Sequence, residues 1–214
     1  MTINLEILDA AYVYAEEAVV LDNIKELVPK MVVRRRLTRA GKIAIYLANQ
    51  VSFSLGKVVY GSSFGELEAT ANILNSINMK EGISPTQFQN SVYNTAISYL
   101  SMLTKNQEEV MTLSSGDDTS LNVLKSGAIK AMDGDTLLLL VTETLNIDKI
   151  EEVNKCVEFL ECGVALKVRF TRDEATLVIT ESREDIKIPL SVELMFNMAR
   201  CFRKEQPNII EVKL

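Results

Sequence analysis

The sequence predicts an α/β fold, a mixed and mostly parallel sheet covered by helices on both faces, with a C-terminal antiparallel hairpin and helix. Three observations carry that expectation. Strand-like and helix-like segments alternate as far as residue 145, the order that builds right-handed parallel crossovers. Leu137-Leu-Leu-Leu-Val-Thr-Glu143 is apolar on both faces, the pattern of a strand in the middle of a covered sheet. Cys162–Phe170 and Ala175–Thr180 flank a turn at Arg172-Asp173, as the arms of a hairpin do. With 214 residues and no linker, repeat or low-complexity tract, the chain reads as one domain. Residues 1–145 form its core, and 146–214 complete the sheet with the hairpin and helix.

Ile3–Tyr14 alternates as an opening strand, broken near Asp9. The acidic stretch Ala15–Lys30 reads as a loop with a short helix, ending at Pro29. Arg34, Arg35, Arg36 and Arg39 form the one dense basic run. Thr38 within it suits the N-cap of a helix whose Ala40, Ile43, Ala44, Leu47 and Val51 keep helical spacing. Cations at a helix N-terminus oppose its dipole, so helix stability does not account for the run. It reads either as a solvated face paired with Glu16, Glu17, Asp22 and Glu26, or as a dock for an acidic partner such as a carrier protein.

Lys57–Tyr60 is the next strand, closed by Gly61-Ser-Ser-Phe-Gly-Glu66, whose glycines permit a tight turn but lack phosphate-loop spacing. A helix over Glu66–Met79 carries Leu67, Ala71, Leu74 and Ile77 or Asn78 on one face. Gly82–Asn90 reads as a loop, followed by a helix over Ser91–Met102 with Val92, Ala96, Leu100 and Leu103 as its stripe. Glu108–Leu113 is a short strand and Ser114-Ser-Gly116 a turn. Asp117 or Asp118 then caps a helix that ends near Met132, with Leu121, Leu124, Ala128 and Met132 on one face. Asn146–Leu160 is charged and partly helical, and Pro189–Lys204 is an amphipathic helix.

Composition narrows the function. A net charge of -6 and a pI near 4.9 argue against nucleic acid as a partner. No apolar run approaches the roughly 18–20 residues that span a bilayer, and no signal-like leader opens the chain, so the expectation is a cytoplasmic protein without a membrane partner. The three cysteines, Cys156, Cys162 and Cys201, lack paired spacing and read as free thiols. The absence of histidine removes Ser-His-Asp and Cys-His catalysis and the commonest metal ligand. Neither a metal nor a cofactor is expected. Ser114 or Ser115 beside Asp117 invites a hydrolase reading, and Cys162 or Cys201 a thiol one, but no lysine base stands near either serine in sequence. The Asp117-Asp118 pair reads as a weak cation site or as a helix cap.

Five segments stand in order between Arg35 and Glu143. They are Arg35-Arg-Leu-Thr-Arg39, Gly61-Ser-Ser-Phe-Gly-Glu-Leu67, Ser84-Pro-Thr-Gln-Phe-Gln-Asn-Ser-Val-Tyr-Asn-Thr-Ala96, Ser114-Ser-Gly-Asp-Asp-Thr-Ser-Leu121 and Gly134-Asp-Thr-Leu-Leu-Leu-Leu-Val-Thr-Glu143. In this series the chain resembles the N-terminal half of a β-ketoacyl synthase, and among those the short proteins of type II fatty-acid and aryl-polyene systems. The resemblance implies a thiolase-like half-fold. Registered on Leu121 and Gly134-Asp135, it puts Asp117 where active ketosynthases carry their nucleophilic cysteine at a strand-to-helix elbow. The family's two histidines, or histidine and asparagine, come from a second half that this sequence does not contain. What is implied is a non-catalytic partner of the chain-length-factor type. It would pair with a full-length ketosynthase and shape or limit the acyl chain, with an acyl carrier protein as a further partner. The resemblance also implies a dimer seam formed by the helix Ser91–Met102 and the strand Glu108–Leu113. Phe88, Asn90, Tyr93, Asn94 and Ile97 would then lie at the interface or the end of the partner's acyl tunnel, although Ile97 reads equally as core and Asn90 as a helix cap. The alternative is a homodimer that binds an acyl group or an acyl carrier protein with no enzyme partner.

Overall fold

Six strands form a single sheet in the computed structural model, which describes residues 1–176, 187–205 and 208–214. They are β1 (Thr2–Ala15), β2 (Lys57–Gly61), β3 (Val110–Leu113), β4 (Leu137–Thr144), β5 (Glu161–Thr171) and β6 (Ile209–Lys213), in the order β3-β2-β4-β5-β1-β6. β2 pairs in parallel with both β3 and β4, and the other three pairings are antiparallel. The sheet is therefore mixed, with a smaller parallel part than the sequence suggests. A parallel pair needs a crossover, and only the β2–β3 and β3–β4 connections among the parallel strands carry long helices. β4 sits inside the sheet and is buried at every position, as its apolar run requires. From Glu161 to Val168, β5 has β1 on one edge and β4 on the other. The expected two-stranded hairpin with Ala175–Thr180 is thus replaced by insertion of β5 into the sheet, and residues 177–180 lie outside those described.

The break near Asp9 is a β-bulge, where the pairing of β1 with β5 shifts between Ile7 and Asp9. Its consequence is a change of phase. Ile3, Leu5 and Ile7 face one core layer before the bulge, and Ala10 and Tyr12 face the same layer after it. One extra residue keeps a long strand's apolar side pointing inward as the strand twists.

Eight helices flank the sheet among the described residues: α1 (Ile24–Leu27), α2 (Met31–Arg36), α3 (Arg39–Gln50), α4 (Leu67–Met79), α5 (Pro85–Asn90), α6 (Thr95–Thr104), α7 (Thr119–Ala131) and α8 (Leu190–Glu205). α3 and α6 cover one face, packing Ile43, Leu47, Ala96, Ile97 and Leu100 onto Leu138 and Leu140. α7 and α8 cover the other, with Val123, Leu124, Val192 and Phe196 against Leu137, Leu139 and Val141. Thr38 caps α3 as expected, its hydroxyl accepting from Gly41 N at 3.1 Å. The basic run belongs to two helices. Arg34, Arg35 and Arg36 form the last turn of α2, where the helix dipole favours cations, and only Arg39 begins α3.

The segment 82–90 is more ordered than a loop. Ser84 caps α5, and Pro85 occupies its first position, where a missing N–H costs nothing. The next helix begins at Thr95, later than expected, because Ser91–Asn94 forms a turn that leaves Val92 exposed. Thr95 Oγ1 closes that turn on the carbonyl of Asn90, at 3.3 Å.

Candidate subunit interface and the Asp117 turn

The parallel strands point their C-terminal ends at a cluster of loops. After β2, Ser62 and Ser63 turn the chain, Gly65 takes a left-handed φ of 61°, and Glu66 stands at the N-cap of α4. After β3, a 3-10 turn over Gly116–Asp118 leads into α7. Glu143, near the end of β4, is fully buried beneath this cluster. Its carboxylate accepts from Ser63 N at 2.6 Å, Ser191 Oγ at 2.8 Å, Ser62 Oγ at 2.9 Å and Phe64 N at 3.4 Å. Burial pushes its pKa up, and these four donors pull it back only in part. Ser62 Oγ also accepts from Gly65 N at 2.8 Å, so the carboxylate and the turn hold each other.

Two further carboxylates are nearly buried. Glu161, at the start of β5, receives Arg39 through Nε at 2.7 Å and through a second nitrogen, together with Val19 N at 2.8 Å and Asn146 Nδ2 at 3.2 Å. Glu66 accepts from Thr38 Oγ1 at 2.7 Å, and burial lifts its pKa to about 7. Thr38 therefore caps α3 and anchors the root of α4 with one hydroxyl.

Asp117 lies exposed on the 3-10 turn. Asp118 occupies the N-cap position of α7 but makes no side-chain cap bond. Thr119 Oγ1 ties the preceding turn together, accepting from Ser115 N at 3.1 Å and donating to Gly116 O at 2.7 Å. Among the described residues no third carboxylate or cysteine joins the aspartates in a set able to hold a metal ion. Ser114 donates to Ser63 O at 3.3 Å. Cys162 is fully buried, and burial and the nearby Glu143 carboxylate push its thiol well above the ordinary range. Cys201 packs against the core.

Beside the turn the sheet ends. β3 pairs with β2, and no strand among the described residues occupies its other edge. The Ser91–Asn94 turn reaches the end of β3, because Tyr93 and Ser114, the residue after β3, both donate to Ser63 O. Gln89, Asn90, Val92, Asn94, Ser98 and Met102 border a surface hollow of about 280 Å³. Asn90 knits the wall together. Its Nδ2 donates to Arg36 O at 3.4 Å, and its Oδ1 accepts from Tyr99 OH at 3.2 Å. Tyr93 lays its ring against Gly65 and donates to Ser63 O at 3.2 Å, joining this wall to the Glu143 cluster.

Of the five residues named from sequence, Asn90 and Asn94 border the hollow, Tyr93 turns to Gly65 and Ser63, and Phe88 is exposed on α5. Ile97 lies apart, 1% exposed and packed in the α3–α6 layer. Asn90 is a tertiary tie at the end of α5 and caps no helix N-terminus. The basic run is divided as well. Arg39 is consumed by Glu161 and the Val19 carbonyl, and Arg34 by the Val28 carbonyl, leaving Arg35 and Arg36 exposed. Among the described residues the arginines make no ion pair with Glu16, Glu17, Asp22 or Glu26, and the buried Glu161 takes that role for Arg39. Sequence reasoning passed over Glu66, Glu143 and Glu161. The signal available was Glu143 closing an otherwise apolar strand, opposite a run of serines.

A family model for the β-ketoacyl synthase N-terminal domain matches residues 12–199. The chain belongs to the β-ketoacyl synthase N-terminal domain family. No curated protein matches it in sequence. Among solved structures, this ketosynthase-like chain is similar to one from Xenorhabdus doucetiae, a ketosynthase (ApeO) in complex with its chain length factor (ApeC), with a TM-score of 0.65 and 23% identity. That match covers 78% of this chain and 79% of the other. A second similarity is to the ishigamide ketosynthase/chain length factor, with a TM-score of 0.54 and 11% identity over 79% of this chain and 59% of that one. A β-ketoacyl synthase from Burkholderia phymatum STM815 gives 0.54 and 13% over the same shares. The fold is the thiolase-like half-fold these proteins share, and the chain spans about three fifths of the longer ones.

Proposed function

We propose that this chain is a non-catalytic ketosynthase-like subunit that pairs with an active ketosynthase in type II fatty-acid or polyene biosynthesis and helps set the length of the acyl chain. The observation that carries the proposal is the open edge of β3 among the described residues, together with the exposed apolar side chains of Phe88, Val92, Tyr93 and Met102. An unpaired parallel strand beside apolar helices invites another chain to complete it. The chemistry supports the pairing. The position aligned with the family's nucleophile is the exposed Asp117, and the chain has no histidine to activate a thiol or decarboxylate a malonyl group. Catalysis then belongs to the partner, and Asn90 and Asn94 face it from the hollow.

The test is the product. The ketosynthase encoded beside this chain is expressed alone and with it, and the acyl products formed from malonyl-loaded carrier protein are measured. The expected result is negligible turnover by this chain alone and a narrower product-length distribution from the pair. Identical products with and without the chain would contradict the role.

A further inference from the structure

Glu66 holds the N-cap position of α4, yet its side chain caps nothing. It turns inward, 6% exposed, and accepts from Thr38 Oγ1 at 2.7 Å as its one side-chain bond among the described residues. Glu143 and Glu161, the other buried carboxylates, each meet several donors. A buried carboxyl group with a single donor is poorly compensated when ionised and well accommodated when protonated.

The helix that this group anchors has little else to hold it. No residue of α4 is buried, and it packs mainly against α5, a helix of six residues that also buries none. A helix of 13 residues is marginal in water without packing. Both its ends adjoin a glycine able to absorb a change of backbone angle. Gly65, before the root, has a φ of 61°, and a Cβ added at Gly82, beyond the far end, would meet nothing within 4 Å.

The charges around Glu66 do not offset its ionisation. Glu68, two residues on, repels a negative charge there. β2 contributes Tyr60, whose buried hydroxyl is held by Thr142 at 2.7 Å. α5 carries no titratable side chain. On α3, Arg39 is taken by Glu161, and Lys42 lies in the field of Arg34 and Arg39.

We propose that α4 is an arm latched by a proton on Glu66. While its carboxyl group is protonated, Glu66 stays beside Thr38 and holds the root of the helix. When the proton leaves to solvent, the carboxylate moves into water and α4 swings away about Gly65 and Gly82. Burial is the largest influence on Glu66 and lifts its pKa to about 7, so the latch is fully closed below about pH 4.5 and opens as pH rises through 7. The device belongs to the chain alone and does not depend on a ketosynthase partner.

Its test is amide exchange over residues 67–79 in the dilute full chain, corrected for the intrinsic exchange rate at each pH. Protection of α4 falls roughly tenfold or more between pH 5 and pH 8, while β4 stays protected at both. Glu66→Gln keeps an acceptor for Thr38 and cannot ionise, so its α4 is protected at both pH values. Equal protection of wild-type α4 at the two pH values, or the same loss in Glu66→Gln, overturns the latch. A carbon-13 titration of the wild-type chain needs no variant. It follows the Glu66 carboxyl and the Ile77 methyl groups to a shared midpoint near pH 7. A Glu66 midpoint in the ordinary carboxylate range, or an Ile77 signal that ignores it, also overturns the proposal.

Discussion

Glu66 shows how one side chain can set the pH response of the whole chain. It is 6% exposed and accepts from Thr38 alone among the described residues, whereas Glu143 and Glu161 are each met by several donors. Burial holds its pKa near 7, above the ordinary 4.5. The folded state therefore binds this proton more tightly than the unfolded one. The associated stability is fully present below about pH 4.5 and is lost as pH rises through 7. Glu143 acts in the same direction. Without histidine, few ordinary groups titrate in that window, so Glu66 stands out there. Glu66→Gln retains an acceptor for Thr38 and removes the charge. In denaturant titrations it is expected to gain up to about 3 kcal/mol on wild type at pH 8 and little at pH 4.5. Parallel pH profiles for the two would refute the assignment. The burial of Glu66 was not legible in the sequence, because it depends on contacts with residues far along the chain. Asp117, which the sequence did single out, is by contrast exposed.

Individual elements were more readable where local chemistry decides them. Thr38 capping α3, the bulge by Asp9 and the apolar β4 all follow from short-range patterns. α5 was missed although Ser84-Pro85 is a start signal, and β5 was paired wrongly because strand partners are a long-range property. Gly61 was read as a turn residue, yet its role is close approach. A Cβ there would lie 2.6 Å from Val123 Cγ2 and 2.7 Å from Thr119 Cγ2. Both neighbours are β-branched and stiff, and Thr119 is further held by its two bonds to the Gly116 turn. Gly61→Ala must therefore push α7 away from β2. The expected cost in a thermal or denaturant melt is about 1–3 kcal/mol. An unchanged midpoint would show that α7 can slide without loss.

At the scale of the whole molecule, two helical layers satisfy the faces of the sheet but, among the described residues, leave the β3 edge and the helix α4 uncovered. The resemblance read from five segments gave the half-fold, since it draws on motif order over a long stretch. The extent of the exposed surface was not readable in the same way. The stripe of α4 has the spacing of a core helix, and only the assembled fold shows that nothing within the described chain covers it. The open β3 edge and the absence of histidine support the proposed subunit that acts through a partner. The most direct test is native mass analysis of this chain co-expressed with the ketosynthase encoded beside it. The account predicts a one-to-one heterodimer that persists on dilution. A stable homodimer or monomer that ignores the ketosynthase would contradict it.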